Sequence, residues 1–245
     1  MISKSKVSFI KSLQVKKYRL AEQCFLVQGA KAVRETLESD YVVVMLCGTA
    51  EFIRGTRLKG KSIEVIEASE KELAAVGSLE ANDGALAVVR MKKMRAPFIA
   101  EGKLTLALDN IRDPGNLGTI IRTADWYGVE RIIASEETAD FHNPKVINAT
   151  MGSFLRIDLC YAALPLVLSK TCVPVYGAFL DGSNVHEVKF GSGGVIVVGN
   201  ESRGISPEVA RQVKYRITIP GYGSAESLNA SVAAAVILDN IRRGS

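Results

Sequence analysis

Asp113-Pro114-Gly115-Asn116-Leu117-Gly118-Thr119-Ile120-Ile121-Arg122 follows the apolar run at 104–108 and opens a helical pattern that reaches Tyr127. A strand that gives out into a Pro- and Gly-containing loop and then a helix is the repeating unit of an α/β sheet. Such loops emerge along the carboxyl edge of the strands, where ligands bind. Two more stretches have the same character. Val198-Gly199-Asn200-Glu201-Ser202-Arg203-Gly204 follows a strand-like run, and Ile219-Pro220-Gly221 runs on to Ser227-Leu228-Asn229 at the head of a long helical pattern. Polar groups from three loops are thus expected to converge on one pocket, which makes an active site the leading reading.

Working outward, strand and helix signals alternate through the rear of the chain. Strands are expected at 104–108, 131–134, 154–158, 173–179, 195–198 and 215–219. Helices are expected over 117–127 with Asn116 as N-cap, after Pro144, from Pro165 to Ser169, from Ser206-Pro207-Glu208, and over 227–243. Strands separated by helical crossovers imply a mostly parallel sheet with helices on both faces.

The front of the chain reads as a small α/β module. It has a helix over 6–20, extended segments at 24–27, 41–47, 62–66 and 85–89, a helix over 30–39, and a capping box at Ser69-Glu70-Lys71-Glu72. A basic stretch ending at Pro97 marks the boundary, which gives domains 1–95 and 96–245.

At 245 residues, 47% apolar and 23% charged, the chain can bury a full core. Its uncharged apolar runs fall well short of the roughly 18 to 20 residues of a membrane span, and no signal-peptide pattern follows the basic N-terminus, so a cytoplasmic protein is expected. Cys24, Cys47, Cys160 and Cys172 are scattered, and only His142 and His186 accompany them. Metal-site spacings are absent, so buried free thiols with no disulfide and no metal are expected. Charge is uneven. Residues 1–95 hold 17 Lys/Arg against 11 Asp/Glu, and residues 96–245 hold 14 against 15. Lys4, Lys6, Lys11, Lys16, Lys17 and Arg19 occur with no acid among the first 19 residues. A basic front half suits a polyanion, although charge alone equally describes a solvated surface.

Gly55-Thr56-Arg57-Leu58-Lys59-Gly60-Lys61-Ser62 fits the phosphate-loop pattern letter for letter. That mechanism needs a helix after the loop, whereas Ile63-Glu64-Val65-Ile66 alternates as a strand. A basic surface turn is the better account.

At about 100° per residue, Leu117, Ile120, Ile121, Ala124 and Tyr127 share one face of their helix and Arg122 lies opposite with Thr119 and Trp126. Arg122 near a loop at the sheet edge suits a phosphate or ribose contact, against the bland reading of a solvated arginine. Glu201 is either a ligand-facing carboxylate or a loop acid paired with Arg203. Ser227 and Asn229 flank the helix start, where capping explains one of them. Ser227 has no His–acid partner in sequence, which argues against a hydrolase triad.

The order Asn-x-Gly-x-Ile-x-Arg, Gly-Asn-Glu-x-x-Gly and Ser-Leu-Asn closely resembles the SpoU/TrmH family of RNA ribose 2′-O-methyltransferases, of the SPOUT superfamily. Phe25-Leu26-Val27-Gln28-Gly29 with Val33-Arg34-Glu35 is similar to that family's ribosomal-protein-like, substrate-binding front domain. Lys145-Val146 and Met151-Gly152-Ser153 fit its catalytic domain. Ser202 stands where Gly is commoner in the family, and Asn148 where Arg is common.

The resemblance implies a deep trefoil knot, a homodimer through the C-terminal domain and S-adenosylmethionine as methyl donor. It implies structured RNA as substrate, ribosomal RNA before transfer RNA, with a non-enzymatic RNA-binding protein as the rival reading. By the same resemblance Gly199, Ile219 and Leu228 contact the donor. Asn116, Arg122, Glu201, Ser227 and Asn229 line the reaction site.

Overall fold

The computed structural model describes residues 1–58, 62–78, 82 and 84–244. The front elements are α1 (Lys4–Ser12), α2 (Lys16–Glu22), β1 (Cys24–Gln28), α3 (Ala30–Glu38), β2 (Val43–Gly48), α4 (Ala50–Arg54), β3 (Glu64–Glu67), α5 (Glu70–Val76) and β4 (Ala85–Arg90). Then follow β5 (Leu104–Asp109), α6 (Pro114–Trp126), β6 (Arg131–Ala134), α7 (Pro144–Thr150), β7 (Asp158–Tyr161), α8 (Leu164–Ser169), β8 (Val175–Asn184), β9 (Gly194–Gly199), α9 (Pro207–Ala210), β10 (Tyr215–Thr218) and α10 (Ala230–Arg243). The chain divides into two units: Met1–Lys93 with Asp140–Leu155, and Met94–Ala139 with Arg156–Ser245.

The first unit is a four-stranded sheet in the order β1-β4-β2-β3, with β4 antiparallel to both neighbours and β2 parallel to β3. Successive strand residues face opposite sides. Leu26 joins Ile10, Leu13, Leu73 and Leu86 in one core. Phe25 instead meets the rings of His142 at 4.8 Å, Phe154 at 5.9 Å and Tyr41 at 6.0 Å. Fully burying such a side chain contributes about 1.5–3 kcal/mol, so these rings fix α7 and its flanks to β1.

Several expectations for this unit are corrected. The helix expected over 6–20 is broken between α1 and α2, and α4, capped by Thr49, was not foreseen. The break follows from Arg19, which is only 1% exposed and not part of a basic surface. Its guanidinium donates to the carbonyls of Leu13 and Gln14 and to Asp140 Oδ2 at 2.5 Å. The capping box at Ser69 and Glu72 forms as expected. The phosphate-loop pattern includes residues 59–61, which lie outside the described residues.

The second unit carries a six-stranded sheet in the order β10-β8-β9-β5-β6-β7, and every pair is parallel. Ala107, Ile133, Val195 and Val197 pack with Leu164 and Leu168 of α8 and Val209 of α9. The alternate residues Leu106, Leu108, Ile132 and Ile196 are equally buried on the opposite face, where α10 meets β9 and packs on α6. From β5 the order runs one way through β6 and β7 and the other way through β9 and β8. The reversal lies between β5 and β9, where an open α/β sheet forms its binding crevice.

The strand expected at 154–158 is displaced to β7, because Phe154 is taken into the first unit's aromatic cluster. Cys24, Cys47 and Cys160 are buried thiols, burial pushing Cys47 up to about 11, but Cys172 is exposed. No helix among the described residues is long and apolar enough to cross a membrane, and no group of three or more His, Cys, Asp or Glu among them could hold a metal ion.

Candidate active site

At the carboxyl end of β5, Asn110 adopts a left-handed conformation (φ 63°), which asparagine tolerates better than most residues. Its carbonyl accepts a hydrogen bond from Asn200 Nδ2 at 3.0 Å, which joins the loop after β5 to the loop after β9. Asp113, not Asn116, caps α6: its Oδ1 accepts from the Asn116 backbone N–H at 2.8 Å, and Pro114 takes the first helical position. The side chain of Asn116 is therefore released from capping.

The loop after β9 is folded tightly on itself. Asn200 and Gly204 exchange backbone hydrogen bonds of 3.1 and 2.8 Å, and Asn200 Oδ1 accepts from Ser202 N, Ser202 Oγ and Arg203 N. Gly204 sits at φ 67°, and Gly199 lies so close to the Gly204–Ile205 backbone that a Cβ there would fall 2.4 Å from it. This fold turns Glu201 inward. Among the described residues no ion pair joins it to Arg203; its Oε1 accepts from Asn116 Nδ2 instead.

Asn116 Oδ1 in turn accepts from Asn229 Nδ2 at 2.9 Å. Asn229 is the N-cap of α10, its Oδ1 accepting from the backbone N–H groups of Ser231 and Val232. A carboxylate can only accept, so the three side chains have one consistent polarity running from Asn229 through Asn116 to Glu201. Three sequence-distant loops are thereby tied together.

Beside this relay lies a cavity of about 380 Å³, within the range of small-molecule and cofactor sites. Glu201 and Ser227 line it, as do Gly199, Ile219 and Leu228. Asn116 and Asn229 stand behind the lining, linked to it through Glu201. Arg122 does not line the cavity. It is exposed on α6 and makes no hydrogen bond or ion pair among the described residues. The sequence reading missed Asn110 and Asn200, whose position just past buried strands was the available signal. It also missed the wall within β8, formed by Ala178, Phe179, Leu180 and Asp181.

A six-stranded parallel sheet and a cavity lined from β8, the loop after β9, the end of β10 and the head of α10 define an α/β protein with a cofactor-sized crevice. The profile of the SpoU rRNA Methylase family matches residues 103–239, and that of the MRM3-like substrate binding domain matches residues 4–87. The chain is 32% identical to the 23S rRNA (guanosine(2553)-2′-O)-methyltransferase RlmP of Bacillus subtilis, over 97% of this chain and 96% of that one. Among solved structures it is similar to a TrmH-family protein of Porphyromonas gingivalis (38% identical, TM-score 0.91, all of both chains). It is also similar to an AdoMet-bound rRNA methyltransferase of Sinorhizobium meliloti (29% identical, TM-score 0.87, 99% of this chain and 97% of that one). The chain belongs to the SpoU rRNA Methylase family.

Proposed function

We propose that this chain methylates a ribose 2′-hydroxyl of ribosomal RNA with S-adenosylmethionine as donor. The observation that carries the reading is the cavity lined from β8, the loop after β9, the end of β10 and the head of α10, bordered by the Asn229–Asn116–Glu201 relay. The lining suits the donor: apolar Leu228, Ile217 and Ile237 for its adenosine, backbone at Gly199 and Ile219, and the carboxylates of Asp181 and Glu201 for its cationic groups. When bound, S-adenosylmethionine supplies an electrophilic methyl carbon on a sulfonium.

The chain's own contribution is placement. Ser227 and Glu201, both on the cavity lining, are assigned to hold the ribose against the donor, and Asn116 and Asn229 to keep Glu201 oriented. Fixing two reactants in line removes much of the entropic barrier to transfer. Arg122, whose planar guanidinium offers forked N–H donors and no acceptor, is assigned to the phosphate beside the target ribose rather than to proton removal.

By family resemblance, the C-terminal segment threads a loop to form the trefoil knot, residues 1–95 bind RNA and residues 96–245 carry the catalytic domain. The same reasoning gives a cytoplasmic homodimer that joins through its C-terminal domains. α6 and α10 support that interface by leaving Trp126 83% and Val232 47% exposed. Sedimentation should show a dimer that Trp126→Glu dissociates; a monomeric wild type removes this assignment.

The activity itself is tested by mapping 2′-O-methyl groups in total RNA from a deletion strain and its complemented parent, with calorimetry on the purified protein. A ribosomal position lost and restored, with S-adenosylmethionine bound, is the expected result. No lost position, or no donor binding, refutes the proposal.

A further inference from the structure

The pairing of β10 with β8 is interrupted. Arg216 lies opposite Gly177, but the next residue, Ile217, lies opposite Ser183. Residues 178–182 therefore stand out of the ladder, and Ala178, Phe179, Leu180 and Asp181 of this excursion form one wall of the cavity. A segment released from strand pairing needs other contacts to hold its shape, since each disordered residue adds conformational entropy that binding must remove.

Those contacts come from β10. The guanidinium carbon of Arg216 stands 3.5 Å from the centre of the Phe179 ring, and Arg216 Nη2 donates to Asp181 Oδ1 at 2.5 Å. Thr218 Oγ1 donates to the Leu180 carbonyl at 3.1 Å. Gly182 closes the excursion against the Arg216 backbone, where a Cβ would fall 2.7 Å from the carbonyl oxygen. One residue thus holds the excursion at 179, 181 and 182. Arg216 is absent from the cavity lining and is partly exposed, so it acts through the residues it holds. The same ion pair keeps the Asp181 carboxyl below its ordinary pKa, with the hydrogen bond from Arg216 as the main cause.

We propose that Arg216 is a positioning residue of the donor site: by stacking on Phe179 and pairing with Asp181 it pre-forms the 178–182 wall and so sets affinity for S-adenosylmethionine. This rests on the reading of the cavity as the donor site. Neither contact can be replaced by charge alone, because lysine lacks the flat guanidinium that lies on the ring and forks toward the carboxylate.

The test uses the full chain, with calorimetry for S-adenosylmethionine and S-adenosylhomocysteine and steady-state methylation of ribosomal RNA, all below the unfolding midpoint of each variant. Arg216→Met should raise Kd and the donor KM about tenfold while kcat at saturating donor stays within about twofold, a split that separates binding from chemistry. Arg216→Lys should fall between, at about threefold, as the pairing returns without the stack. Phe179→Leu should weaken donor binding as Arg216→Met does, and the double variant should be no worse than either single one. Wild-type affinity in Arg216→Met overturns the inference, as does a loss confined to kcat. A wild-type protein that fails to bind S-adenosylmethionine defeats the donor-site reading itself, a result distinct from both.

Discussion

Gly199→Ala tests whether close backbone approach builds the cavity. The added Cβ would lie 2.4 Å from Gly204 C, 2.4 Å from Ile205 N and 2.5 Å from Gly204 O. All three are backbone atoms, so no rotamer change relieves the overlap, and restoring ordinary contact requires a shift of about 1 Å. The loop cannot give that shift while its two Asn200–Gly204 hydrogen bonds hold. Losing them costs about 1 kcal/mol each, and overpacking adds about 1–3 kcal/mol, for a total of roughly 3–5 kcal/mol. Glu201 rides on this loop, so donor affinity should fall by about tenfold or more as the relay loses its acceptor. Urea unfolding and calorimetry with S-adenosylmethionine measure the two effects. Gly221→Ala is the control: nothing lies within 4 Å of its Cβ position, and it should stay within about 0.5 kcal/mol of wild type. A Gly199→Ala protein equally close to wild type, with unchanged donor affinity, would refute the close-approach argument.

Arg122→Ala should reduce turnover by about 100-fold or more while donor Kd stays within about twofold, because the side chain stands outside the cavity; near-normal methylation defeats the phosphate assignment. In the first unit, burial holds the His142 pKa down at about 4, with Asp140 opposing and Arg19 adding to the depression. The folded pKa lies below the ordinary value of 6.5, so the stability present above pH 6.5 is lost as pH falls toward 4, by about 3 kcal/mol. His142→Phe should flatten that limb in urea titrations at stepped pH; an unchanged slope between pH 6.5 and 4 rejects the assignment.

Much of the second unit was legible because its signals are local. β6 matches its predicted bounds, α7 starts at the predicted Pro144, and the alternation of strands with helices implied the parallel sheet. Where local signals competed, tertiary structure decided. Asn116 is a good cap by type, but Pro114 fixes the first helical position and hands the role to Asp113. Phe154 has strand propensity, yet the ring cluster around Phe25, far away in sequence, draws it into a single 3-10 turn. Arg19 reads as one more basic surface residue until Asp140 is placed beside it. In the site, the three loops were visible as Gly- and Pro-bearing strand ends. The wall at 178–182 was not, because nothing in the run Ala178-Phe179-Leu180-Asp181-Gly182 announces that its partner strand will skip it.

The front module is assembled from two separated lengths of chain, and Asp140–Leu155 closes it. On a ribosome, the module therefore stays unfinished until translation has passed residue 155. Until then Phe25 lacks the rings of His142 and Phe154, and the Arg19 guanidinium lacks its carboxylate. A gene fragment cut after residue 95 would leave Phe25 without those two rings and Arg19 without that carboxylate for good.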